Sequence, residues 1–203
     1  MYVPEHFEQQ DRAAALDLIA GHEFGLLVAG SDAAHIPFVL DREQSLLRCH
    51  VARANPIWKR AIGSSVLAVF QGPHGYVSPD WYESENQVPT WNYMAVHVTG
   101  MVRELPETAL EAHLRALVAQ SERRLAPKSA WDLGEVPAAK VAGMIRGIVG
   151  MEIPLDRVEA MWKLSQNRTQ GDRRNVIRAL RARGGEDNTA VADAMERNEK
   201  EIG

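Results

Sequence analysis

FQGPHGYVSPDWYESENQVPTWNYMAVHV, residues 70–98, holds two of the chain's five tryptophans and three of its four tyrosines, with turn residues leading into an alternating strand. From Trp91 onward an extended backbone sends Trp91, Tyr93, Ala95 and His97 to one side and Asn92, Met94, Val96 and Val98 to the other, because successive strand side chains face opposite ways. The second set is suited to a core. The first offers rings and an imidazole. Two readings of those rings stand at this point: a surface for a planar ligand, or good strand formers with much apolar area to bury.

Working outward, SVLAVFQG (65–72) is apolar on both faces, Val66, Ala68 and Phe70 against Leu67 and Val69, which predicts a central strand covered on both sides. GPHGYVSPDWYESENQVP (72–89) reads as turn, short strand and exposed loop. Upstream, EFGLLVAG, AHIPFVLD and SLLRCHVA are three β-type runs in an antiparallel meander. A short helix precedes them, from about Glu8 to Ala20 with Gly21 as its C-cap. After them, Asn55 is an N-cap with Pro56 at the first position of another short helix. Downstream, the Trp91 strand ends by Arg103. Helices are expected near 106–126 and 137–146, then strands VGMEIPL and RVEAMWKLS, then a basic helix GDRRNVIRALRARG. Six to eight β runs with helices inserted late favour a β-rich α+β fold, a closed or nearly closed antiparallel barrel with peripheral helices. A doubly wound sheet would need alternating strands and helices, and neither G-x-G-x-x-G nor a Walker pattern is present.

The 203 residues suit one domain with decoration, drawn here as residues 1–183, followed by a polar tail over 184–203. A lone Cys49 cannot make an intrachain disulfide, and MYVPEHFEQQ lacks the basic and apolar runs of a signal peptide. No apolar run suits a membrane span. A cytoplasmic protein is the expectation. The net charge of -4 argues against a surface that is basic all over, yet leaves room for a local basic patch.

Cys49 and His50 are neighbours in a strand, so their side chains diverge and form no dyad. No G-x-S-x-G elbow surrounds Ser78 or Ser165, and the seven histidines show no metal-ligand spacing. No catalytic residue is assigned, and no metal. Anion sites have better support. Arg53 precedes the helix start at Asn55, where free amides and a planar guanidinium favour phosphate, although a salt bridge and a simple cap explain the same residues. KLSQNR gathers Lys163, Ser165, Gln166, Asn167 and Arg168 at a strand end. The basic helix carries Arg173, Arg174, Arg178, Arg181 and Arg183 after Arg168, and the acidic tail beyond it can neutralise them within the molecule. DNA contact is weighed against that neutralised face.

MYVPEHF, AHIPFVL, HVARANPIW, GPHGYVSPDWY, VPTWNYMAVHV, IVGMEI and KLSQNR, in this order from the first residue to about Leu180, resemble the PaiB family, the FMN-binding negative transcriptional regulators. The resemblance implies a split barrel of the flavin-reductase and pyridoxamine-phosphate-oxidase kind, a homodimer with FMN where subunits meet, and repression of transcription tied to sporulation and degradative-enzyme genes. FMN needs a cationic pocket for its phosphate and aromatic walls for its ring. On the family motifs, Arg53, Asn55, Lys163, Gln166, Asn167 and Arg168 are assigned to the polar requirement. His50, Tyr76, Trp81, Trp91, Asn92 and Tyr93 are assigned to the ring. Two function classes follow: a regulator that senses flavin or its redox state, and a flavin-dependent oxidoreductase.

Overall fold

The computed structural model describes residues 1–202, with side chains described as far as Asn198. In chain order the elements are α1 (Arg12–Gly21), β1 (Phe24–Ala29), β2 (Asp32–Pro37), β3 (Val39–Asp41), β4 (Leu46–Ala52), α2 (Ile57–Ala61), β5 (Ser65–Val77), β6 (Thr90–Met101), β7 (Arg103–Leu105), α3 (Glu107–Glu122), α4 (Ala138–Arg146), β8 (Ile148–Pro154), β9 (Arg157–Lys163), α5 (Gln170–Arg183) and α6 (Glu186–Ile202). They form two compact units. The first comprises Met1–Ala15, Gln71–Val96 and the chain from Glu159 onward; the second comprises Leu16–Phe70 and His97–Val158.

In the second unit, β1 lies between β2 and the start of β5, and a four-stranded sheet runs β3-β4-β8-β7. Every pair in that second sheet is antiparallel. The alternation expected in SLLRCHVA holds: Leu47, Cys49 and Val51 are buried, and opposite them Ile153, Met151 and Val149 are buried in register. The sequence reading treats AHIPFVLD as one strand, but the chain breaks at Phe38 into β2 and β3, which belong to different sheets. Phe38 is buried edge-on against Phe70 at 5.1 Å, so burial of this ring turns the corner. A second corner falls at Val102, whose amide donates to the Ser64 carbonyl and whose carbonyl accepts from Gly63. The strand that follows, β7, is absent from the sequence reading. Leu105, Leu110, Leu133, Val141 and Ile145 make a small apolar cluster beneath α3 and α4.

In the first unit, β5, β6 and β9 lie side by side in that order. The expected turn at GPHG is instead the continuation of β5 to Val77. Gly75 is there for approach: a Cβ would meet Leu180 at 3.2 Å and Asn188 at 3.1 Å, on the helices α5 and α6. The segment read as a polar tail contains α6, with Val191, Ala192, Ala194 and Met195 buried and α5 packed beside it. Its apolar residues recur at helical spacing among many charges, and that sparse stripe escapes a composition-based reading. Among the described residues no helix is long and apolar enough to cross a membrane. The β-rich antiparallel architecture with flanking helices is the one expected.

Candidate functional site

The strand parity of residues 90–98 is realised: Asn92, Val96 and Val98 are fully buried while Trp91 is half exposed and Tyr93 partly exposed. On β5 the same face carries His74 and Tyr76, whose ring centroids stand 6.1 and 5.8 Å from that of Trp91. On β9 it carries Met161 and Lys163, since the Tyr93 hydroxyl donates to the Met161 sulfur at 3.3 Å and Lys163 has the parity of Met161. One surface of the three strands therefore runs from three rings across Tyr93 to an ammonium group.

At its polar end, Lys163 Nζ donates to the Thr90 hydroxyl at 2.6 Å and lies 6.0 Å from the centre of the Phe7 ring. Arg168 donates to the Gln87 side-chain oxygen and lies 5.1 Å from the Tyr82 ring. Both cations are partly buried, and among the described residues neither has a carboxylate partner. Burial, followed by the neighbouring Arg168 charge, pushes the Lys163 ammonium below its ordinary pKa. Such a pair is repulsive as it stands and attracts an anion. The turn between them is fixed by Gln166, whose amide donates to the Trp162 carbonyl at 2.5 Å and whose oxygen accepts from Leu164 N–H at 2.7 Å. Asn167 is exposed at the tip. Asn92 faces away from the rings and bonds Ser165. Trp81 lies in a groove of about 360 Å³ with Asp80, Tyr82, Asn175, Arg178 and Ala179.

Asp172 anchors the loop that leads to Gln87. Its buried carboxylate accepts from the amides of Glu83 and Ser84 and from the Ser84 hydroxyl at 2.7 Å. Burial raises its pKa, but those hydrogen bonds outweigh burial and hold it below the usual value. On α5, Arg181 is paired with Asp193 and Glu196 of α6, and Arg173 turns toward the Met195 carbonyl and Asn198.

The remaining candidates lie in the second unit and are engaged within it. Arg53 donates through Nε to the Arg146 carbonyl and through Nη2 to that of Ile148, each at 2.9 Å. The Asn55 side chain accepts from Ile57 N–H at 3.1 Å, and α2 starts at Ile57, one residue later than the sequence reading placed it. His50 Nδ1 lies 3.0 Å from Nε2 of buried His113. Burial lowers the pKa of both imidazoles, that of His113 to about 4, with the His50 and Arg48 charges adding to the shift. Among the described residues no cluster of three metal-ligating side chains occurs.

Thr90, Gln87, Met161 and Phe7 are not singled out by the sequence reading, and His74 enters it only among the histidines that neighbouring strands could bring together. His74 and Met161 were within reach, two residues from Tyr76 and Lys163 on the same faces. Phe7 and Gln87 come to the cations only through the tertiary fold.

Comparison with solved structures defines the class. A FAD and heme binding protein from Mycobacterium smegmatis superposes with a TM-score of 0.58 at 15% identity, covering 77% of this chain and 73% of that one. The flavocytochrome Anf3 from Azotobacter vinelandii superposes at 0.57 and 13% identity, covering 79% and 72%. At such identities the likeness is one of fold, and the fold is the split barrel anticipated above. Residues 1–157 match the family model described as "Putative FMN-binding domain", and the chain belongs to that family. It is 32% identical over 203 residues to the protease synthase and sporulation protein PAI 2 of Bacillus subtilis, covering 97% of both chains. It is also 32% identical over 201 residues to an uncharacterized protein of Emericella nidulans, covering 80% of each. FMN is the cofactor that goes with the family, and the donor set fits it: an aromatic surface at one end and two cations without carboxylates at the other.

Proposed function

We propose that the protein is an FMN-binding transcriptional repressor of the PaiB type, carrying its flavin on the face built by β5, β6 and β9. The observation behind the cofactor assignment is the pair Lys163 and Arg168, two partly buried cations held only by neutral groups, on a surface continuous with Trp91, Tyr76 and Tyr93. A phosphate monoester bears between one and two negative charges near neutral pH. Between these cations it replaces repulsion with charge-assisted hydrogen bonds. Trp91 and Tyr76 supply an apolar surface for the ring, and Tyr93 a hydroxyl at its edge. Bound FMN supplies hydride or electron transfer. In this reading Gln166 and Asn167 shape the turn. Asn92 supports the face from behind, and His50, Arg53 and Asn55 serve the second unit.

A second copy of the chain is the natural cover for the exposed part of Trp91 and Tyr76, giving a homodimer. The repressor role comes from the PaiB resemblance, alongside similarity over nearly the whole chain to PAI 2, whose name speaks of protease synthesis and sporulation, and cytoplasmic residence is proposed with it. The test has three arms. FMN added to the purified protein should lose fluorescence on binding at a stoichiometry of one per chain, and light scattering should give the mass of a dimer. Operator DNA should be retained at low salt and released steeply as salt rises, because phosphate contacts depend on counterion release. Absence of DNA binding at low salt, with and without FMN, removes the repressor; rapid bleaching of bound flavin by NADH or NADPH would put an oxidoreductase in its place.

A further inference from the structure

Behind the flavin face, the buried polar residues Asn92 and Ser165 lie with Met195 of α6. Asn92 Nδ2 donates to Ser165 Oγ at 2.9 Å and to the Met195 sulfur at 3.4 Å, and the Ser165 hydroxyl donates back to Asn92 Oδ1 at 3.2 Å. Ser165 has φ of +62°, a left-handed conformation that costs a non-glycine residue on the order of 1 kcal/mol. Lys163 stands two residues before it. Arg168 stands three after, with its amide donating to the Ser165 carbonyl at 3.0 Å. The left-handed residue reverses the chain, so it sets how far apart the two cations lie. The Met195 carbonyl in turn accepts from Arg173 of α5, which ties the helix pair to this knot.

We infer that Asn92, Ser165 and Met195 are positioning residues for the phosphate-binding cations, and that α6 thereby belongs to the flavin-binding unit. The inference rests on the assignment of Lys163 and Arg168 to the phosphate. The alternative account is that Asn92 and Ser165 only satisfy each other inside a core, which buried polar groups require anyway. The two accounts differ in what they do to the phosphate end alone.

Riboflavin has the FMN ring without the phosphate, so the ratio of the two affinities isolates that end. In the full-length protein, Ser165→Gly keeps the turn allowed but removes the hydroxyl that locks it. Its FMN affinity should fall about tenfold, the size expected for a lost buried hydrogen bond, with riboflavin affinity unchanged. Met195→Leu, a near-isosteric exchange, should lower the ratio by about threefold and carries the test should the Ser165 variant not fold. In a background lacking both cations, Lys163→Ala with Arg168→Ala, Ser165→Gly should have no further effect on FMN, because the groups it positions are gone. Equal loss of both flavins in step with a lower melting temperature would overturn the inference, as would an undiminished ratio in both variants. A wild-type protein that binds FMN no tighter than riboflavin would overturn the phosphate assignment itself, a result recognisable before any variant is made.

Discussion

The arginines of the second unit and the Lys163–Arg168 pair of the first are held in opposite ways. In the second, Arg48 is bonded to both Asp41 and Glu152 at 2.8 Å, Arg60 to Asp32, and Arg53 to two carbonyls. There the imidazoles of His50 and His113 have pKa values lowered by burial. In the first, Lys163 and Arg168 are brought together with a hydroxyl, an amide oxygen and two rings for company. A fold that neutralises charge with carboxylates in one place and leaves repulsion standing in another has a use for the second place. The difference separates structural cations from ligand-binding ones, although in the sequence Arg53 and the KLSQNR cations are both candidates for phosphate.

The largest expected effect tests the neutrality of the second unit. The native pKa of His113, about 4, lies below the ordinary value of 6.5, so unfolding takes up a proton between those limits. Stability is therefore fully present above pH 6.5 and is lost as pH falls toward 4, by about 3 kcal/mol at full extent and about 2 kcal/mol by pH 5. His50, shifted the same way, adds to the slope, and the positive Arg48 beside the pair disfavours charging. The carboxylates held low, Asp41 and Asp172, lose their own contributions at lower pH, below their unfolded values near 3.8. Urea melts across this range should show the loss, and His113→Leu should flatten it. An unchanged slope in that variant would mean that the pair is already charged or open in the native state.

Next come the two cation sets, compared directly. Arg48→Ala leaves Asp41 and Glu152 facing each other and should destabilise the protein by about 2 kcal/mol, less than a fully buried pair because both partners are about one-fifth exposed, while FMN affinity stays as it was. Lys163→Ala should do the reverse. FMN affinity should fall about thirtyfold, equivalent to about 2 kcal/mol for a charge-assisted bond, with stability unchanged or slightly raised as the repulsion with Arg168 disappears. Calorimetric titration with FMN and urea denaturation of the same two variants decide it. Were Arg48→Ala to abolish FMN binding in a folded protein, the division between structural and ligand-binding cations would collapse.

Periodicity carried most of the fold. Period two in SLLRCHVA and TWNYMAVHV located two strands and their buried faces, because each has one dry side, whereas RVEAMWK is a strand in which Ala160, Met161 and Trp162 are all buried. The corners were hidden: nothing local marks Phe38 or Val102 as the residue where a chain changes sheets, since the cause is a ring or an amide contact distant in sequence. The glycines at 72 and 75 suggest a turn, whereas Gly75 serves close helix packing. At the site, the rings and the KLSQNR cations were visible as residue types, but their usefulness depends on which partners the fold gives them. Arg53 and Arg168 look alike in sequence; two carbonyls separate them.

The smallest expected effect concerns the ring end. Trp91 is 52% exposed, and its packing with His74 and Tyr76 is edge-on or tilted, so little of the stability of the unit depends on it. Trp91→Ala should change the denaturation midpoint by less than about 0.5 kcal/mol, as surface substitutions do. If the indole stacks on the flavin, FMN and riboflavin should weaken together by about fivefold, because an aromatic contact contributes roughly 1 kcal/mol and acts on the ring that both flavins share. If it instead lies between two copies of the chain, the mass by light scattering should fall at dilute concentration while the affinity ratio holds. Loss of FMN alone, with riboflavin untouched, would place Trp91 at the phosphate and would erase the polarity of the face, which is the feature that distinguishes this unit from its partner.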